Sequence, residues 1–160
     1  MDDRTSLFET TRCACLASRR AARRITRRFD QALRAHGLRA TQFTILAALR
    51  LAGPQSVGAL ADLLDIERTT MSRNLAVAAQ RDLLTLRADP EDARSRIATL
   101  TAHGRHTLET ALPTWQAVQK SLVEELGETT VHNLHQLAGG PCIAPLPNSS
   151  YEPQNQDSPA

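Results

Sequence analysis

Apolar residues recur along this chain at helical spacing, with one interruption. Cys15, Ala22, Ile25, Phe29 and Leu33 form a single stripe along a helix expected over 12–35. "HGL" at 36–38 ends it with a glycine. Thr41 is the expected cap of the next helix, which carries Phe43, Leu46 and Leu49. "AGPQ" at 52–55 breaks the pattern, and Ser56 then caps a short helix bearing Val57, Leu60, Ala61 and Leu64. Asp65 is the expected cap of a third helix that runs to Gln80.

The period then changes. Leu84 and Leu86 alternate with Thr85 and Arg87, and Ala98 and Leu100 alternate with Ile97 and Thr99. "DPED" between the two runs supplies a turn, so the segment 83–101 predicts a two-stranded hairpin. A hairpin that small must pack on the helices. A long helix over 102–126 follows, with Leu108, Leu112, Trp115, Val118, Leu122 and Leu126 on one side and a kink expected at Pro113. A shorter helix carries Val131, Leu134 and Leu137. Residues 1–11 read as a flexible N-terminus. Residues 139–160, rich in Pro, Ser, Asn and Gln without periodicity, read as a disordered tail.

Helix, short helix, tight turn, helix and hairpin, in that order, make a winged helix-turn-helix. The fold class is mainly α with a small β-hairpin wing. On the 66–81 helix, Met71, Leu75 and Ala78 face the core, while Thr69, Ser72, Arg73, Ala76 and Gln80 fan out on the other side with Thr70 at the edge. A helix built only to pack would carry better helix formers in its first turns. Short hydroxyl side chains let a helix approach a groove closely, and Arg73 can reach guanine or phosphate. The candidate DNA-contacting set is Arg68, Thr69, Thr70, Ser72, Arg73 and Asn74 on this helix, with Arg94 and Arg96 at the hairpin tip. Asp92, two residues before Arg94, can hold its guanidinium by a charge-assisted pair.

Composition narrows the setting. One domain fits 160 residues, and with aromatics at 3% the core must be built from Leu, Ala, Val and Ile. No run approaches the length of a membrane span, and the N-terminus lacks an apolar signal core, so a cytoplasmic protein is expected. Between Arg12 and Arg50 ten arginines stand against Asp30 alone, a local charge of +9 that leaves −7 for the rest of a chain whose total is +2. Such asymmetry points to a polyanion or to an electrostatic device; the plain alternative is a solvated helix face.

From about residue 12 to 138 the chain resembles the MarR family of bacterial transcriptional regulators. The residues that carry the likeness are "VGALADLLDIERTTMSRNL" (57–75), Asp92-x-Arg94, and "TLTAHGR" (99–105) just beyond. The resemblance implies a homodimer in which terminal helices, here about 12–35 and 102–138, interlock and position two DNA-reading parts, here about 41–101. It also implies a palindromic double-stranded operator, repression relieved by a small ligand or an oxidant, and a minor-groove role for Arg94. One departure is "QRDLL" (80–84), where the family commonly has a glycine before the first wing strand.

Three cysteines carry the remaining chemistry. Cys15 falls on the apolar stripe of the first helix and Cys13 on its arginine side. A thiol near a helix N-terminus, beside Arg12 and within two turns of Arg19 and Arg20, is drawn toward a reactive thiolate. Cysteine-sensing branches of the family also place a sensing cysteine near the start of this helix. The tyrosines that assist the hydroperoxide-sensing branch are missing, since Tyr151 is the one tyrosine in the chain. Cys142 could resolve an oxidised Cys13 or Cys15, or join them in holding a soft metal or metalloid. The competing readings are a buried Cys15 with an idle Cys13, and a small apolar or aromatic effector between the first, second and fifth helices.

Other chemistry is thin. His103 with His106, and His132 with His135, lack further ligands at metal spacing. No phosphate loop or catalytic triad is present in the spacing, so neither a cofactor nor an enzyme activity is expected. The second function class that stays open is a helical interaction protein whose basic helix binds RNA or an acidic partner non-specifically.

Overall fold

The computed structural model describes residues 10–90, 92 and 95–140. A 3-10 turn at Thr10–Arg12 leads into α1 (Ala14–Leu33), and a second at Arg34–His36 leads to α2 (Ala40–Ala52). Then come β1 (Gln55–Ser56), α3 (Val57–Leu63), α4 (Arg68–Gln80), β2 (Leu84–Ala88), β3 (Arg96–Leu100), α5 (Ala102–Leu126) and α6 (Glu128–Leu137). No helix among the described residues is long and apolar enough to cross a membrane.

The sheet is antiparallel with order β1-β3-β2, one strand more than the sequence pattern predicts. Gln55 pairs with Ala98 and Ser56 with Ile97, while Leu84 lies opposite Leu100 and Ala88 opposite Arg96. A two-residue strand is too short to show any alternation, and "AGPQ" reads only as a breaker. Its pairing ties the wing to the helix-turn-helix and settles where the hairpin docks.

The core gathers Leu33 and Leu38, Phe43, Ile45, Leu46 and Leu49 of α2, Leu60 and Ala61 of α3, Met71, Leu75 and Ala78 of α4, and Leu83, Leu84 and Ala98 of the wing. Leu108 and Ala111 of α5 close it. Trp115 stacks between Phe29 and Phe43, with ring centroids 6.0 and 5.7 Å apart. A chain with few aromatics thus places three of them where α1, α2 and α5 meet.

Two expected caps move. The second helix starts at Ala40, one residue before Thr41, because Asp30 on α1 accepts the Ala40 N–H at 2.8 Å and Gln42 accepts that of Arg39 at 3.0 Å. Asp65 sits in the left-handed region at φ 49° as part of the turn, and Glu67 caps α4 instead. Ser56 caps α3 as expected, its hydroxyl accepting the Ala59 N–H at 3.1 Å.

The apolar stripe of α1 holds over its second half only. Leu33 is buried and Ile25 and Phe29 are half-buried, but Ala22 and Cys15 are exposed. Among the described residues, the first turns of α1 have no core to pack against. The long seam on α5 divides as well: Leu108 and Leu122 are buried within the protomer, whereas Leu112 is exposed. None of α6 is buried; Leu134 is 39% and Leu137 86% exposed.

Candidate nucleic-acid interface

The α4 helix is built to show one face and hide the other. Met71 and Leu75 are fully buried, whereas Arg68, Thr69, Thr70, Ser72, Arg73, Ala76 and Gln80 are exposed on the other side, with the neighbouring Asn74 half-buried. The sequence therefore orients this helix correctly.

Its N-terminus is held by Glu67. One carboxylate oxygen of Glu67 accepts the Thr70 N–H at 2.9 Å and also accepts the Thr69 hydroxyl. The Thr69 hydroxyl, followed by the backbone N–H groups of Thr69 and Thr70, lowers the Glu67 carboxyl from 4.5 to about 2. Further along, the Ser72 hydroxyl donates to the Arg68 carbonyl at 2.9 Å, and the Asn74 amide donates to the Thr70 carbonyl at 3.0 Å.

A cleft of about 400 Å³ opens between α3, α4 and the wing, lined by Gly58, Arg68, Ser72, Asp92, Ser95 and Arg96 among others. Gly58 is buried, and any side chain there would overlap the Arg68 guanidinium. The missing Cβ therefore lets Arg68 lie back over the start of α3 and leaves its charge in the cleft. Arg96, at the first position of β3, is exposed on the far wall. Arg68 and Arg96 thus flank one opening with Ser72 between them, a basic pocket beside the exposed face. Asp92 lines the same opening, and its carbonyl accepts the Ser95 N–H at 2.8 Å. Arg94, and with it the expected Asp92–Arg94 pair, lies outside the described residues.

The sequence reading missed Glu67, Gly58 and Ser95. Glutamate is not among the preferred N-caps, and Asp65 two positions earlier is. Gly58 could have been noticed as a glycine inside a helical pattern, where it weakens the helix unless close packing requires it.

Cys13 is the N-cap residue of α1 and makes no side-chain capping bond. Cys15 lies in the first turn, with its carbonyl accepting the Ser18 hydroxyl at 3.0 Å. Both thiols are free and exposed, which corrects the placement of Cys15 on a covered stripe. Cys142 lies outside the described residues. The arginine rows on α1 also differ from a uniformly solvated face. Arg20, Arg24 and Arg28 turn into a groove of about 770 Å³ shared with α5 and α6, together with Leu16, Leu122 and Leu134. Arg28 pairs with Glu125 and donates to the Ser121 hydroxyl at 3.0 Å. Among the described residues, no three His, Cys, Asp or Glu side chains cluster as a metal would need.

A MarR family model matches residues 36–95. The transcriptional regulator MosR of M. tuberculosis, solved in complex with DNA, is 39% identical over 79% of this chain and 96% of that one, with a TM-score of 0.69. The chain belongs to the MarR family of transcriptional regulators. Bordetella bronchiseptica BpsR, solved to explain regulation of its DNA binding by 6-hydroxynicotinic acid, is 28% identical over 79% of this chain and 90% of that one, with a TM-score of 0.69. A mutant of E. coli MarR, in complex with operator DNA, shares the fold at 20% identity over 83% of this chain and 96% of that one, with a TM-score of 0.72. No curated protein matches. The regulator described here is thus a DNA-binding winged helix in which the exposed α4 face adjoins a basic cleft and the wing.

Proposed function

We propose that this MarR-family protein is a cytoplasmic, non-enzymatic repressor that binds a palindromic operator as a homodimer. The observation that carries the reading is the exposed Thr69–Ser72–Arg73 face of α4 beside the basic cleft formed with Arg96. In this reading α4 enters the major groove, with Arg68, Thr69, Thr70, Ser72, Arg73 and Asn74 toward bases and phosphates. The wing, with Arg96 and Arg94 at its tip and Asp92 supporting Arg94, reaches the minor groove. The MosR structure with DNA supports it by relationship, and the MarR structure with operator DNA by fold.

The homodimer reading rests on surfaces the chain leaves open. Leu16, Leu134 and Leu137 are exposed, the first two in a groove walled by α1, α5 and α6. A second copy that laid its terminal helices there would bury all three and bring two α4 helices into register with half-sites about 34 Å apart.

Release from DNA is assigned to thiol chemistry at Cys13 or Cys15. Both are exposed at the start of α1, next to this groove, so oxidation or metalloid binding there would disturb the same helix that builds the dimer. Cys142 is the candidate resolving thiol. The second effector route is a small apolar or aromatic ligand at the junction of α1, α2 and α5. The Phe29–Trp115–Phe43 stack lies at that junction and would form an aromatic wall for such a ligand.

The test is a band-shift on DNA flanking the protein's own gene, with salt varied to separate specific from non-specific affinity. It is repeated after peroxide, a disulfide reagent or arsenite, on wild type, Cys13→Ser, Cys15→Ser and Cys142→Ser. A salt-resistant shift that wild type loses under at least one reagent, and at least one mutant retains, is the expected result. A wild type that keeps its DNA under all three reagents, or mutants that all respond like wild type, would shift the assignment to the small ligand. No salt-resistant binding to any fragment would leave the basic-helix interaction protein.

A further inference from the structure

The donors and acceptors on α4 are not equally available. A threonine or serine hydroxyl has one proton to give and two lone pairs to receive with. For Thr69 and Ser72 that proton is already committed. Thr69 gives its own to the Glu67 carboxylate, and Ser72 gives its own to the Arg68 carbonyl. Asn74 spends one amide N–H on the Thr70 carbonyl. What Thr69 and Ser72 turn outward is therefore lone pairs. The outward arginine donor at the centre of this face is Arg73.

Glu67 adds to this bias. It is exposed, ionised and placed at the leading end of the helix. A carboxylate that holds the hydroxyl of Thr69 makes that corner of the helix unfavourable for a phosphate, which can only accept. In the major groove, by contrast, adenine N6 and cytosine N4 are amino groups that donate, whereas guanine O6 and thymine O4 accept.

We propose that Glu67 is a specificity-determining residue, which by taking the Thr69 hydroxyl proton makes Thr69 read an exocyclic amino group of adenine or cytosine. Thr69 accepts from the amino group at its free lone pair while its proton stays on Glu67. Ser72, with its proton on the backbone, reads with the same sign one turn along. Arg73 supplies the complementary donor and selects an accepting base such as guanine. This rests on the proposed entry of α4 into the major groove.

The probe is a duplex that wild-type protein selects from a randomised pool. Each adenine in it is replaced in turn by purine, and each cytosine by 2-pyrimidinone, which deletes single amino groups and keeps the backbone intact. Wild type is expected to lose about tenfold in affinity at one base pair of each half-site. Thr69→Val should be indifferent to that same deletion. Glu67→Ser keeps a capping oxygen for the Thr70 N–H, so its melting temperature should stay within a few degrees of wild type. With the Thr69 proton released, its reselected duplex should carry a keto base at that position. Amino deletions that are harmless to wild type at every position, or a Glu67→Ser variant that reselects the wild-type base, would overturn the inference while leaving DNA binding intact. A wild type that selects no duplex would overturn the proposed function itself, and this inference with it.

Discussion

The Thr101 hydroxyl donates to the Asp82 carbonyl at 2.6 Å and accepts the Gly104 N–H at 2.9 Å, so one side chain joins the turn after α4 to the start of α5. This is where α4 and the wing meet α5. Gly104 is buried there, and a Cβ on it would overlap the Leu83 carbonyl oxygen.

Gly104→Ala is therefore expected to cost about 1–3 kcal/mol, because the obstacle is backbone and cannot swing aside. Urea unfolding measures it. A midpoint unchanged from wild type would show that α5 is not pressed against Leu83.

Asp82, in the turn between α4 and β2, adopts a left-handed φ of 54°. Aspartate tolerates this region better than most residues but still bears some strain. Asp82→Gly should be neutral to stabilising, by up to about 1 kcal/mol in thermal unfolding. A clear loss of stability would mean the Asp82 side chain does more than occupy the turn.

Much of this was legible beforehand, and the exceptions share a cause. Met71, Leu75 and Ala78 were readable as a buried face because a helical period survives any tertiary context that covers one side. Cys15 fits the same period yet is exposed, because a stripe in sequence does not say where the covering surface ends. The Gln55–Ser56 strand exists only through its partner Ala98–Ile97, a long-range pairing with no local signature. Glu67 was hidden because its capping depends on a long side chain folding back, which propensity does not encode. On the exposed face of α4 the arginines and hydroxyls are visible in the sequence, but the direction of their hydrogen bonds is not.

The Glu67 carboxyl should titrate at about 2, against 4.5 for the free group. Its folded-state value is depressed, so its contribution to the cap is complete above 4.5 and is lost as pH falls towards 2. An NMR titration that follows the Glu67 carboxyl carbon and the Thr70 amide should show both moving together near the lower value. A midpoint at the ordinary carboxylate value would mean that the Thr69 and Thr70 bonds do not hold it.

Leu134 and Leu137 are exposed in the single chain, and the proposed dimer needs them covered. Wild type should run by light scattering at twice the 17.5 kDa chain mass at micromolar concentration. Leu134→Lys with Leu137→Lys should shift it toward the single-chain mass and weaken operator binding. A monomeric wild type would remove the two-fold reading of DNA.

The most direct measurement is a titration of wild type and Arg73→Ala against a duplex selected by wild type and against random-sequence DNA of equal length. Arg73 is exposed at the centre of the α4 face. If it contacts a base, Arg73→Ala loses about 1–3 kcal/mol on the selected duplex and relaxes its sequence preference, with little change on random DNA. An Arg73→Ala protein that keeps both the affinity and the preference of wild type would contradict the claim that α4 reads the operator.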